Sequence, residues 1–366
     1  MLKPEEFKFK KKKLFVLSTF GHCGIDYLHS LLDNHKQIII IPSLSFYRKL
    51  EIFEKKNYTK RLKKKIYISK FVDFILKVNK QTRRHKIFKN SKEKKNFKSY
   101  IFEYLKYKKK FTIKKDLFES IHYAYARVKN FNQNKKIIVA HEHVPWNCFN
   151  YETYFDAKYI LIIRDPRASI AGSIKYLQKA KKNPSSYDID LALGFFWSAL
   201  TFYKNISKKK IFIFRNEKMN LNLNKEMRKL SRWLGIMFNK SLTQSTLLGK
   251  NWFGESAYLS IGDLKKKLPK DYYDIKLVQK RWSAFLSKNQ IKQIELFFEE
   301  IFKIFKYKKK YSLSSFEKII HISRFFLNLD FNQGANLKNF LNIPKLIIRR
   351  FCLIFFNKIS RKLFLI

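Results

Sequence analysis

Apolar residues in this chain fall into a few short continuous runs, separated by longer stretches in which they recur at helical spacing. Leu14 to Ser18, Lys136 to Ala140, Tyr159 to Ile163 and Ile211 to Phe214 are runs with little alternation, the pattern of strands covered on both faces. After the first run, Leu28, Leu31 and Leu32 share a helical face. Further helices are expected at Arg167 to Lys179 and at Asp190 to Ile206, the second carrying Phe195, Phe196 and Trp197 into a core. Asn224 to Leu234 and Lys288 to Phe305 read as amphipathic helices. The order β, α, β, β, α, α, β predicts an α/β fold, a three-layer sandwich with a mostly parallel central sheet and helices on both faces.

The pattern changes in two places. Residues 61–110 hold 19 Lys or Arg and only three acids, interspersed with aromatics. This predicts a basic helical insertion, about 48–115, within a domain spanning 1–310. Buried stems with solvated charges would make it an ordinary helical surface, whereas a long insertion near the ligand face of an α/β fold suits a lid. Residues 311–366 form a basic, hydrophobic C-terminal extension. Its last part, 341–366, has six basic residues, no acids and apolar clusters near a helical period, and fits either the enzyme body or an anionic membrane surface.

Composition changes the picture less than its size suggests. Across 366 residues, 79 Lys plus Arg against 28 Asp plus Glu give a net charge of +51. Such a surface attracts nucleic acid, anionic lipid, acidic glycan or a nucleotide donor alike. Joint enrichment in Lys, Asn, Ile and Phe reads as a general drift and weakens charge as a functional signal. No helix-turn-helix, zinc-finger or RNA-recognition pattern is present, so no specific nucleic-acid partner is expected. Cys23, Cys148 and Cys352 are too scattered for a disulfide framework or a thiolate zinc site, which favours a reducing compartment. Met1 to Lys13 is polar, and the longest uncharged stretch, Leu191 to Tyr203, is too short to cross a bilayer. A cytoplasmic location is expected, with attachment to the inner membrane face through the tail as the alternative.

Candidate chemistry gathers after the carboxyl ends of the runs, where open α/β sheets place ligands. Thr19-Phe20-Gly21-His22-Cys23-Gly24 joins the first strand to its helix, an arrangement that offers backbone N–H groups and a positive helix end to a phosphate. His141-Glu142-His143 follows the second run, and Arg164-Asp165-Pro166-Arg167 the third. Arginine at a strand end suits phosphate through its planar fork of donors, although Arg167 could simply pair with Asp165. His141 and His143 point the same way if extended, but no third metal ligand is evident, and no metal is expected.

Taken together these segments resemble the sulfotransferase family over roughly residues 13–306. Leu14 to Thr19 with Gly21, His22, Cys23, Gly24, Ile25 and Asp26 is similar to its 5′-phosphosulfate loop. Ile160 to Ala168 is similar to its 3′-phosphate strand and helix. His143-Val144-Pro145 resembles the segment that brings its catalytic histidine, and Phe212 to Met219 a later strand and helix. Gly249, Lys250 and Asn251 resemble the start of its late cofactor loop in glycan-directed bacterial members.

The resemblance implies a P-loop-like fold. It implies 3′-phosphoadenylyl sulfate as cosubstrate, the adenosine 3′,5′-bisphosphate product, Arg164 and Ser173 as donor ligands, and His143 as general base, with His141 and Glu142 as alternatives. His22 stands where the family has a cation, on the leaving side. The loop is degenerate: the family's lysine or arginine and its hydroxyls are replaced, and Asp26 would repel phosphate unless it caps the helix. Gly172 holds the place of the family's phosphate-binding serine, with Ser173 one later and Ser169 three earlier. The basic, aromatic-bearing insertion favours a carbohydrate or lipid-linked saccharide acceptor. Sulfation of a protein tyrosine, and an inactive polyanion-binding protein, are the alternatives.

Overall fold

The computed structural model describes residues 7, 12–42, 44–57, 63–78, 87–108, 112–131, 136–179, 186–252, 281–327, 330, 347–348 and 350. Five strands form one sheet: β1 (Lys13–Thr19), β2 (Ile38–Ile40), β3 (Ile137–His141), β4 (Ala157–Ile163) and β5 (Ile211–Arg215), in the order β2-β3-β1-β4-β5. Every pairing in it is parallel. The four predicted strands are these β1, β3, β4 and β5, displaced at their ends by two residues or fewer. β2 was not foreseen, although Ile38 to Ile41 form a continuous buried apolar run that ends at Pro42. Each of β1, β3 and β4 is buried almost throughout, so side chains on both faces meet apolar neighbours, as expected for a sheet sandwiched by helices.

The helices follow in chain order. α1 (Ile25–Leu32) follows β1; α2 (Phe46–Asn57), α3 (Lys64–Val78), α4 (Ser91–Lys106) and α5 (Ile113–Val128) lie between β2 and β3. α6 (Cys148–Tyr154) precedes β4, while α7 (Pro166–Lys179) and α8 (Ser186–Asn205) join it to β5. α9 (Asn216–Leu221), α10 (Leu223–Leu234), α11 (Lys288–Phe297), α12 (Glu299–Ile304) and α13 (Ser315–Phe326) complete the chain order. The expected helix from Lys288 to Phe305 is thus two helices meeting at Phe298.

The basic segment between β2 and β3 is mostly helical where it is described, and it has an aromatic interior. Phe46, Phe53, Phe71 and Phe118 are buried and meet edge to face, while Lys and Arg heads stay at the surface. At the other end of the chain, Arg350 is fully buried against an equally buried Asp190, with its Nε 2.7 Å from a carboxylate oxygen. It also bonds the Phe325 carbonyl and stacks 4.1 Å from that ring. Arg350 therefore docks on the α8–α13 body; the rest of 341–366, apart from exposed Ile348 and its neighbour Ile347, lies outside the described residues. No helix among the described residues is long and apolar enough to cross a membrane.

The strand order fixes where a ligand fits. From central β1 the chain passes to β2 and β3 on one side, then to β4 and β5 on the other, so the segments leaving β1, β3 and β4 diverge. The register brings their carboxyl ends level, with Leu17 beside His141 and Thr19 beside Ile162. Such a switch point opens a crevice.

Candidate active site

The first wall is the loop after β1. Phe20 N–H extends the β1–β4 ladder by donating to the Ile162 carbonyl at 2.9 Å. The chain then turns through Gly21 and Gly24, both at positive φ. Gly24 is required twice over: its φ is 89°, and a Cβ there would stand 2.4 Å from Asn216 Nδ2. That Asn216 amide donates to the Cys23 carbonyl at 2.9 Å, so α9 holds the loop in place. No side chain caps α1 at Gly24, which leaves the positive end of the helix facing the crevice. Ser169 of α7 lies on the other side, its hydroxyl 3.6 Å from where a Gly21 Cβ would be.

Cys23 and Ile25 are buried and can offer only backbone groups. Burial pushes the Cys23 thiol up to about 12 against the opposing charge of Arg164, so it is no nucleophile. The Arg164 backbone N–H bonds that sulfur, which ties the loop to the end of β4. His22 stands exposed on the loop.

The second wall follows β3, where extended backbone sends alternate side chains to opposite sides. His141 and His143 fall on one side, with ring centroids 4.4 Å apart. Their Nε2 atoms lie 3.7 and 3.5 Å from Asp26 Oδ1. Asp26 is therefore no helix cap; it sits in the first turn of α1 and turns to the histidines. One turn further, His29 Nδ1 meets His141 Nδ1 at 2.7 Å. Both rings are buried, and burial holds both below the usual imidazole range. The Asp26 carboxyl is held below its usual range: partial desolvation of its oxygens among the imidazoles opposes ionisation, but contact with His143 and the charges of the nearby imidazoles outweighs it. Its side chain is 64% exposed, so solvent screens that pairing. His143 is half-buried, and its backbone N–H donates to Ser45 Oγ at 3.2 Å.

Glu142 points the other way. It is fully buried, receives the Val144 N–H at 3.2 Å, and leaves Oε2 without a partner. Burial raises its carboxyl to about 8, so it is mostly protonated at neutral pH. The third ligand missing from the sequence reading, Asp26, joins His141 and His143 in a group whose ligand atoms all lie within 4.8 Å.

The third wall is the end of β4. Arg167 is bound into the core by Asp165, Glu295 and the Lys308 carbonyl, and it stacks on Trp282. Arg164 differs, since its Nε is buried with no hydrogen-bond partner. Gly172 lies beside it, since a Cβ there would touch Arg164 Nη1 at an ordinary contact distance of 3.8 Å. Ser173 Oγ donates instead to the Ser169 carbonyl at 3.2 Å within α7.

The late segment is placed apart. Thr246–Leu247 and Lys250–Asn251 pair as a hairpin, turned at Leu248-Gly249. Gly249 N–H and Thr246 Oγ1 both bond Asp33, at the far end of α1 from the loop. Gly249, which bonds Asp33, thus stands about 14 Å along that helix from Gly24, by its rise per residue. The remainder of the expected late loop lies outside the described residues. A groove of 440 Å³ bounded by Glu295, Glu299, Lys309, Tyr311 and Lys318 includes none of the strand-end residues.

Sequence reasoning missed the roles of His29 and Asn216, and preferred Ser173 to Ser169. His29 alone left a signal, three residues after Asp26 and so on the same helical face.

Residues 23–240, more than half of the chain, match the family model described as the sulfotransferase family. The chain belongs to the sulfotransferase family. By that membership it is an enzyme of sulfuryl transfer, in a family that generally uses 3′-phosphoadenylyl sulfate. Comparison with curated proteins gives no match. Among solved structures, the chain is similar to the sulfotransferase domain from the curacin biosynthetic pathway, at 16% identity, 88% coverage of this chain, 99% of that one and a TM-score of 0.48. The sulfotransferase domain from the Synechococcus PCC 7002 olefin synthase is similar at 13% identity, 83% and 96% coverage and a TM-score of 0.46. A sulfotransferase from Mycobacterium avium follows at 11%, 84% and 81%, with a TM-score of 0.42. Membership rests on the sequence match and not on these overlaps.

Proposed function

We propose that the crevice binds 3′-phosphoadenylyl sulfate and that His143 takes the proton from an acceptor hydroxyl. The observation that carries this reading is Arg164. A buried guanidinium nitrogen without a partner, beside an uncapped helix start, is costly unless an anion joins it. The donor supplies the sulfuryl group. Arg164, the first turn of α1 and the backbone of residues 20–25 would hold its anionic oxygens, with Ser169 placed better than Ser173 to contribute a hydroxyl.

His143 is the group of the second wall that combines partial exposure with an acidic partner. Asp26 faces its Nε2, which leaves Nδ1 for the acceptor proton, and general-base help of this kind contributes about 10² to 10⁴ in rate. His141 is sealed and committed to His29. Glu142 is turned away. His22, exposed on the loop, would donate to the leaving group.

Trp146 and Phe195, with ring centroids 5.5 Å apart, supply aromatic faces near the same strand end and support a carbohydrate or lipid-linked saccharide acceptor. The test is release of adenosine 3′,5′-bisphosphate from the sulfated donor, followed with oligosaccharide, lipid-linked saccharide and tyrosyl peptide acceptors. Turnover with a saccharide supports the reading. Donor binding with no turnover on any acceptor would leave a polyanion-binding protein.

A further inference from the structure

We propose that Asp26, His141 and His143 form a binding site for a zinc-type divalent transition-metal ion, and that the bound ion switches the enzyme off. Two imidazoles and one carboxylate are a donor set suited to such ions. In a tetrahedral zinc site with bonds near 2.1 Å, neighbouring ligand atoms stand about 3.4 Å apart. His141 Nε2 and His143 Nε2 lie 3.7 and 3.5 Å from Asp26 Oδ1. These separations are slightly too long for good direct hydrogen bonds and within a few tenths of an ångström of a shared ion's requirement.

The second, independent observation is His141 itself. It is buried to 2% exposure, yet its Nε2 has no hydrogen-bond partner. Its other nitrogen is engaged with His29 Nδ1 at 2.7 Å. When His141 Nδ1–H donates to His29, Nε2 presents a bare lone pair toward Asp26, and a cation between them supplies the missing partner. A metal-bound histidine characteristically makes this kind of outer contact through its second nitrogen. His29 then orients the ligand. Exposure of Asp26 and partial exposure of His143 leave an entry path and an open coordination position.

The inhibitory consequence rests on the reading of His143 as base; the binding does not. A neutral imidazole carries one proton. With Nε2 bound to metal that proton resides on Nδ1, so neither nitrogen can accept the acceptor's proton. No oxidant or further reactant is involved, and a proton on Nε2 before binding is either transferred to Nδ1 or released.

The test is titration of the full-length protein with Zn²⁺ against a chelating dye, and with Co²⁺ by visible absorption. The variants are Asp26→Asn, His143→Gln and His29→Gln, each checked for folding by circular dichroism. One ion per chain is expected, bound at least about 10-fold more weakly in Asp26→Asn and His143→Gln, and about 10- to 100-fold more weakly in His29→Gln. Should buried His29→Gln misfold, the exposed Asp26→Asn still decides. Equal zinc affinity in wild type and folded Asp26→Asn, or no binding by the wild type, overturns the site. In turnover, zinc is expected to inhibit over the range in which it binds, reversed by chelator. Zinc bound at the site without inhibition overturns the switch, and His143 as base with it, while the metal site stands.

Discussion

Asp26 of α1 and His143 after β3, far apart in sequence, stand 3.5 Å from each other between carboxylate oxygen and Nε2. Parallel pairing of β1 with β3 produces this contact, because Leu17 is level with His141 and the next elements of both strands leave the sheet together. The acid in the first turn of α1 thereby faces the histidine cluster.

Asp26→Asn is expected to lower kcat by at least about 10-fold, a modest part of the range for positioned proton transfer. Bisphosphate affinity should change little. The folded carboxyl titrates below its usual value near 3.9, so it contributes stability above that value and loses it as pH falls through the lower folded value. Thermal melts of wild type should therefore fall more steeply than those of Asp26→Asn below about pH 4.

For Glu142 the sign is reversed. Its folded carboxyl titrates at about 8, so the folded state holds a proton that the unfolded chain releases near pH 4.3. Stability should decline as pH rises between these values, by at most about 1.4 kcal/mol per pH unit. Glu142→Gln removes that decline, and denaturant melts at pH 5 and 8 measure it.

Gly24→Ala should destabilise the protein by about 1–2 kcal/mol from backbone conformation alone, before the collision with Asn216 is counted. Urea unfolding reads the loss. Asn216→Ala relieves the collision, so the double variant should cost less than the sum of the two.

Arg350→Ala leaves Asp190 buried without its guanidinium, a change that costs about 3–5 kcal/mol for a buried pair. A large loss of melting temperature confirms that this part of the tail belongs to the enzyme body. A variant as stable as wild type would remove it.

The sheet was legible because β1, β3 and β4 are buried on both faces and therefore written as unbroken apolar runs, and β5, half-buried at the sheet edge, is a short apolar run as well. β2 was missed even though Ile38 to Ile41 run as unbroken as the others. The walls of the crevice were legible as well, since strand ends are local. Their inward detail was not: His29 meets His141 across 112 positions and Asn216 reaches Cys23 across 193. Likewise Arg164 and Arg167 look equivalent in sequence. Only packing separates them, with Glu295 of α11 and Trp282 occupying Arg167.

Binding of adenosine 3′,5′-bisphosphate, measured by calorimetry on wild type, Arg164→Ala and Arg167→Lys, tests the crevice most directly and needs no acceptor. The account predicts one site, weakened by at least about 1.5 kcal/mol in Arg164→Ala, the lower range for a charge-assisted hydrogen bond. Folded Arg167→Lys should bind as wild type does. Unchanged affinity in Arg164→Ala, or no binding by the wild-type protein, would contradict it.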